Sequence, residues 1–234
     1  MINWKTIFIT ATNTGVGKTT ISGLLLRFLN QQAIKTGYQK WASTGDAENP
    51  ADLAACLKMA GLEADPTLLD LQVPYRFTFP ASPHLAAELE QKEIDPGIII
   101  SAYQEMVKRY EVLVVEGVGG LLVPLRRDLL LADLLGRLKL PTIIVAHTGL
   151  GTINHTLLTI EALRSRQIPV AGVIFTDSTG VEEVLVRDNM KTIAETGQIK
   201  ILGRLPHCRD QNELIGAFAP IGRKIIDLLG FRIP

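Results

Sequence analysis

Cysteine is nearly missing from this chain: Cys56 and Cys208 are the only two in 234 residues. Two thiols cannot build a disulfide framework, and their spacing matches no metal-ligand pattern. Buried or incidental thiols are therefore expected, as suits a reducing compartment. An excess of charge of either sign is missing as well, because 24 Lys and Arg cancel 24 Asp and Glu. That balance gives no electrostatic ground for nucleic acid or an anionic membrane as the main partner. A long unbroken apolar run is also absent. The richest, LLLADLLGRLKLPTIIVA, is interrupted by Asp133, Arg137, Lys139 and Pro141, too often to span a bilayer. MINWKTIFIT lacks the basic, apolar and small-residue parts of a signal peptide. There is no long Gly/Ser/Pro linker, low-complexity segment or repeat. A single cytoplasmic domain over residues 1–234 is expected.

What is present is an alternation of short β-branched runs and amphipathic stretches. Strands are expected at 6–10, 33–39, 112–115, 142–146, 170–175 and 200–205. Between the first two, Ile21, Leu24, Leu25, Phe28 and Leu29 recur at helical spacing. Further helices are expected at 51–60, 83–91, 96–109, 152–167, 181–196 and 217–229. Continuous apolar strands alternating with helices predict an α/β fold, a mostly parallel sheet covered on both faces. Segment 62–83, with Pro66, Pro74, Pro80 and Pro83, reads as an irregular active-site loop or lid.

The chemistry begins at ATNTGVGKTT, residues 11–20. Thr12 to Thr19 fits the P-loop pattern except at its first position, where threonine replaces glycine. Gly15 and Gly17 let amides turn inward without a Cβ in the way. The following helix offers its positive end to an anion. Lys18 can reach β- and γ-phosphates, and the Thr19 hydroxyl can bind Mg²⁺. A glycine-containing β-to-α turn with an exposed lysine is the bland alternative.

Mg²⁺ needs more oxygen ligands, about six in all. Glu116 ends the run VLVV and precedes Gly117, Val118, Gly119 and Gly120. A carboxylate at the carboxyl end of a central parallel strand faces the ligand crevice, where glycines allow close approach, or is simply a strand-end acid pointing into water. Asp52 has two open readings. In NPAD, Asn49 can cap a helix with Pro50 at its first position, so Asp52 serves either as a first-turn acid or as a metal ligand. Lys40, in QKWASTGD, lies in a loop at the same sheet edge. It is either a second charge on the γ-phosphate or a solvated lysine. In GLGTINHTLLT, glycines after a strand open a helix whose first amides could hold a carboxylate. There Thr152 as an ordinary helix cap is the alternative. His84, His147, His155 and His207 lack the spaced partners of a metal site.

Taken together, TNTGVGKT, KWASTGD, the aspartate of NPADLA, SPH, VVEGVGGLLVPL, GLGTINHTLLT and VAGVIFTD resemble dethiobiotin synthetase along essentially the whole chain. VEGVGG and GLGTINH make the likeness specific. The resemblance implies a homodimeric P-loop enzyme using ATP and Mg²⁺ to convert 7,8-diaminononanoate and CO₂ into a cyclic urea. It implies that Gly15, Val16, Gly17, Lys18, Thr19 and Thr20 hold the triphosphate, and that Thr19, Asp52 and Glu116 bind Mg²⁺. Gly117, Val118 and Gly119 would lie beside them. Lys40 would contact the reacting carbamate and phosphate, and Thr44 the substrate. Leu150, Gly151, Thr152, Ile153 and Asn154 would receive the substrate carboxylate across the dimer. Thr176, Asp177, Pro206, His207, Cys208 and Glu213 would flank the base.

The chain departs from that pattern in three places. Ala11, Thr12, Asn13 and Thr14 replace the usual Gly-Thr-Asp-Thr, and Trp41 replaces a proline after the second lysine. Thr176 stands where asparagine often reads adenine, which predicts looser base discrimination. Two other classes are weighed. A partition-type ATPase usually has a signature lysine near position 13, where this chain has asparagine. An amidoligase of the cobyrinic acid diamide synthase type needs a glutaminase domain, for which there is no room.

Overall fold

The run Thr6–Ala11 is buried along its whole length and forms β1, the strand on which everything else is hung. The computed structural model describes residues 4–177, 180–208 and 210–231. After β1 come α1 (Lys18–Gln31), β2 (Thr36–Lys40), β3 (Ala42–Thr44) and α2 (Ala51–Ala60). Next are α3 (Leu69–Gln72), β4 (Tyr75–Phe77), α4 (Pro83–Leu89) and α5 (Pro96–Arg109). The chain continues through β5 (Val112–Glu116), β6 (Pro124–Arg126), β7 (Leu129–Leu130) and α6 (Leu131–Leu138). It finishes with β8 (Thr142–His147), α7 (Thr152–Ser165), β9 (Val170–Thr176), α8 (Glu183–Gly197), β10 (Ile201–Leu205) and α9 (Gln211–Leu229).

Six strands form one parallel sheet in the order β10-β9-β8-β1-β5-β2. Alternate residues of a strand point to opposite faces. Ile7 and Ile9 accordingly join Val112, Val114, Tyr38 and the apolar stripe of α1 on one side. Phe8 joins Leu113, Val115, Ile144 and Leu135 on the other. Both faces are covered, which is why these strands read as continuous apolar runs. A parallel sheet also sends every βα loop to one edge, where the loops after β1, β2 and β5 meet.

The structure corrects several element boundaries. Segment 62–83 is more regular than expected: it holds a 3-10 turn at Pro66–Leu68, α3, and β4, which pairs in parallel with β3. Its last residues, Pro80 to Pro83, do line the main cleft. Helix α6 is absent from the expected elements, although Leu131, Leu134, Leu135 and Leu138 fall at i, i+3, i+4 and i+7. Helix α9 starts six residues earlier than expected, at an Asp210 cap that accepts from Asn212 N–H, and carries Pro220 inside it. Trp41, after the second lysine, does not line the cleft. Its indole is fully buried against Phe8, with ring centroids 4.9 Å apart.

Candidate active site

The loop between β1 and α1 turns on Gly15 (φ 75°) and Gly17 (φ 102°), left-handed positions that glycine occupies without a Cβ penalty. Gly17 is the N-cap of α1 and supplies no side-chain cap. The first amides of α1 are thus left to a ligand, the arrangement that binds phosphate. The loop is braced from β9: Thr176 Oγ1 donates to Val16 O at 2.7 Å. A Cβ at Gly17 would stand 3.3 Å from Thr176 Cγ2, so loop and strand end are in contact.

The register of the central strands sets the acids and lysines. Lys40 pairs with Glu116 across β2 and β5, and Ile9 of β1 pairs with Glu116 on its other side. Lys40 and Glu116 therefore stand at adjacent carboxyl ends. Thr19, at the start of α1, places Oγ1 2.9 Å from Glu116 Oε1 and 3.0 Å from Asp52 Oδ1. One hydroxyl proton serves one of them at a time. The Lys40 ammonium bridges the same pair, donating to Asp52 Oδ2 and, at 3.1 Å, to Glu116 Oε1. Asn49 does not cap α2; Pro50 is the N-cap residue, and the Asn49 amide instead donates to Asp46 Oδ1. Asp52 does sit in the first turn, but its carboxylate is turned to Thr19 and Lys40.

Burial penalises the Lys40 ammonium, yet Glu116 and Asp52 outweigh it and hold its pKa above the ordinary lysine value. Burial likewise opposes the Asp52 carboxylate, but the Lys40 charge and the hydrogen bonds from Lys40 and Thr19 bring its pKa below the usual range. Lys18 is different. Burial pushes its pKa down and Lys40 adds to that, while Glu116 pulls upward between them.

Among the described residues no group of three or more His, Cys, Asp or Glu side chains is placed to hold a metal. The site instead offers one hydroxyl and two carboxylates, all oxygen. That set fits Mg²⁺, which completes its shell with phosphate oxygens and water rather than a full protein cage. The ammonium lodged between the acids shows that this spot calls for positive charge.

A cleft of about 720 Å³ gathers much of the expected site. Gly15, Gly17, Lys18, Thr19 and Thr20 line one wall, and Lys40, Thr44, Asp52 and Glu116 another. Val118 and Gly119 close the end. Thr14, Val123 and the stretch Pro80 to Pro83 also line it, beyond the expected site residues. The SPH motif at 82–84 is the signal in the sequence that could have found the last of these. Val16 is buried, with its carbonyl turned to Thr176. Gly117 packs inward: its amide donates to Ile9 O, and a Cβ there would meet the Phe8 ring at 3.0 Å. Its glycine serves packing, not phosphate approach.

A second group collects at the ends of β9 and β10. Asp177 Oδ1 accepts from Arg204 Nε at 2.6 Å. The Cys208 thiol has its pKa raised by desolvation and by the Glu213 carboxylate beside it. Pro206 and His207 precede it in the same loop. None of these lines the main cleft. The third group also lies outside it. Gly151 (φ 82°), not Thr152, is the N-cap of α7, again without a side-chain cap. The Thr152 hydroxyl is buried 3.4 Å from that of Thr156, so it is not a helix cap. Leu150 is 89% exposed, Asn154 is exposed and Ile153 is half-buried.

A parallel sheet with a glycine-turned loop, an uncapped helix and a buried lysine defines a P-loop nucleotide-binding domain, and residues 5–213 match the AAA domain family. In fold the chain is similar to MinD in the MinC:MinD cell division complex of Aquifex aeolicus: TM-score 0.61, 16% identity, 98% of each chain covered. It is also similar to a ParA family ATPase of Chlorobium tepidum TLS, with TM-score 0.52, 15% identity, and 97% and 100% coverage. At such identities the likeness concerns the fold alone. In sequence it is 40% identical over 198 residues to the ATP-dependent dethiobiotin synthetase BioD of Methanococcus vannielii, covering 84% of this chain and 91% of that one. The BioD of Novosphingobium aromaticivorans is 41% identical over 213 residues, covering 90% and 93%. The chain belongs to the ATP-dependent dethiobiotin synthetase family.

Among the described residues no helix is long and apolar enough to cross a membrane.

Proposed function

We propose that this chain, as an ATP-dependent dethiobiotin synthetase of biotin biosynthesis, closes a ureido ring on 7,8-diaminononanoate. One amine adds to CO₂, giving a carbamate and releasing a proton. A carbamate oxygen attacks the γ-phosphorus, and the bond to ADP breaks with its electron pair. The second amine attacks the carbonyl carbon, phosphate leaves with the C–O electron pair, and the amine proton passes to solvent. No protein nucleophile is needed, so the chain's work is orientation and charge neutralisation.

The carrying observation is the convergence of Lys18, Lys40, Thr19, Asp52 and Glu116 on one cleft at the carboxyl edge of the sheet. In this reading Gly15 to Thr20 hold the triphosphate and Lys18 anchors its terminal phosphates. Lys40 neutralises the carbamate and the migrating phosphoryl group, and Thr44 steadies the diamine. Thr19, Asp52 and Glu116 hold Mg²⁺, which supplies further neutralisation of phosphate charge. Residues 150–154 receive the substrate carboxylate from a partner protomer, and the working form is a cytoplasmic homodimer. Leu122 and Leu158, both exposed and sharing a groove with His155 of α7, support a covered surface there.

Incubation with diaminononanoate, bicarbonate and MgATP should yield the cyclic urea, identified by mass. Steady ATP hydrolysis without it would instead favour a switching ATPase.

Thr176 carries a second expectation. Its hydroxyl is committed to the Val16 carbonyl, with His147 Nδ1 at 3.3 Å. It therefore lacks the paired donor and acceptor that read adenine's edge. Turnover with GTP and CTP should fall within about a hundredfold of that with ATP, since a site that makes no paired hydrogen bonds to the base rejects a near-isostere by only about 10²-fold. A larger preference for ATP would assign base reading to other residues.

A further inference from the structure

Glu116 has no solvent exposure, and its two oxygens are treated differently. Oε1 meets Thr19 Oγ1 and Lys40 Nζ, both of which line the cleft. Oε2 accepts from the Tyr38 hydroxyl at 2.9 Å. Tyr38 is itself buried, packed in the core on the α1 side of the sheet, and does not line the cleft. The β2–β5 register explains the meeting: Tyr38 pairs with Val114 and Lys40 with Glu116, so Tyr38 lies two residues before Lys40 on the same face. A buried carboxylate oxygen needs a donor, and here a rigid phenol provides it from the core side.

We propose that Tyr38 is a positioning residue that fixes Glu116 as a one-oxygen ligand and thereby tunes the cleft to a small six-coordinate cation. The inference rests on Thr19, Asp52 and Glu116 forming the cation site. Mg²⁺ demands a near-ideal octahedron with oxygens at roughly 2.0–2.1 Å, whereas Ca²⁺ takes about six to eight oxygens and accepts both oxygens of one carboxylate. With Oε2 held by Tyr38, Glu116 presents Oε1 alone. Tyr38→Phe removes that hold, so the carboxylate can rotate and offer both oxygens. Partners that orient a ligating carboxylate in this way typically change metal affinity by about 10–100-fold.

The test is calorimetric titration of Mg²⁺ and of Ca²⁺ into the full-length protein with saturating ADP, comparing wild type, Tyr38→Phe and Glu116→Gln. In Tyr38→Phe, Mg²⁺ affinity should fall about tenfold, and the Mg²⁺-to-Ca²⁺ affinity ratio should fall by at least about fivefold. A merely structural loss would weaken both metals alike. An unchanged ratio in Tyr38→Phe, with Glu116→Gln weakening Mg²⁺, overturns the role of Tyr38 while leaving the cation site standing. Unchanged Mg²⁺ binding in Glu116→Gln overturns the cation site itself. Should Tyr38→Phe fail to fold, infrared difference spectra of wild type with ¹³C-labelled glutamate decide. A metal-induced glutamate splitting wider than that of the free carboxylate marks one-oxygen ligation and supports the proposal; a narrower, two-oxygen splitting overturns it.

Discussion

Replacing Lys40 by alanine should lower kcat about a thousandfold, the scale seen when one charge-stabilising group is removed from a phosphoryl or acyl transition state. Retention of more than about a tenth of the wild-type rate would contradict the role given to it. The variant should still fold, because the sheet and both apolar layers are untouched, but it should be less stable. Glu116 is fully buried and would keep the Tyr38 and Thr19 hydroxyls while losing its nearest cation. Asp52 is partly exposed, so solvent screens its share of the loss. The ammonium and a divalent cation draw on the same two carboxylates. Adding Mg²⁺ should therefore raise the Tm of Lys40→Ala by more than it raises that of wild type.

The pH dependence of that stability has a definite sign. Lys40 has a raised pKa, so its contribution is full below the ordinary lysine value and is lost as pH rises through the raised one. Asp52 has a lowered pKa, so its contribution is present above the ordinary aspartate value and is lost as pH falls through the lowered one. Wild type thus gains nothing from acid at this site. In Lys40→Ala the two carboxylates face each other without the ammonium, and protonating one relieves the repulsion. The stability gap between the two proteins should narrow as pH falls below about 5, read from urea unfolding at a series of pH values. A gap that widens would mean that Lys40 is not the counter-charge of these acids.

Much of this architecture can be read before any coordinates, and for a physical reason. Strands covered on both faces must be apolar throughout, so β1, β5, β8 and β9 announce themselves, and the phosphate loop sits between a strand and an amphipathic helix as it must. Glu116 is legible as a candidate because a carboxylate ending a central parallel strand sits at the crevice, although the strand alone does not say whether it turns there or into water. Tyr38 is not. In AIKTGYQ it reads as one more aromatic suited to a strand, and only the β2–β5 register brings its hydroxyl to Glu116. Spacing also leaves Asp52 between two readings, because an acid two residues into a helix satisfies either; the direction of its carboxylate is a tertiary fact. Three-residue strands such as β3 and β4 escape for another reason. They pair across some thirty residues of chain and carry too few positions for a period to show.

Lys18→Ala should also reduce kcat about a thousandfold, by removing the cation that anchors the terminal phosphates. ATP affinity separates the two lysines: it should weaken markedly in Lys18→Ala and change little in Lys40→Ala, whose ammonium is assigned to the carbamate and the migrating phosphoryl group rather than to the resting nucleotide. The stronger test is the double variant. Lys40 already lowers the pKa of Lys18 as a like charge, so the two ammonium groups feel each other across the cleft. If both act on one migrating phosphoryl group, removing the second after the first should cost far less than it does alone. The combined loss should then fall well short of the roughly 10⁶-fold product expected of independent contributors. Single-turnover phosphate release from preformed carbamate, at MgATP concentrations that saturate each variant, would measure it with nucleotide occupancy held constant. A fully multiplicative loss would mean that the lysines serve separate steps, one holding nucleotide and the other acting only at ring closure. Sub-multiplicative coupling is what a shared, buried, doubly cationic cradle requires.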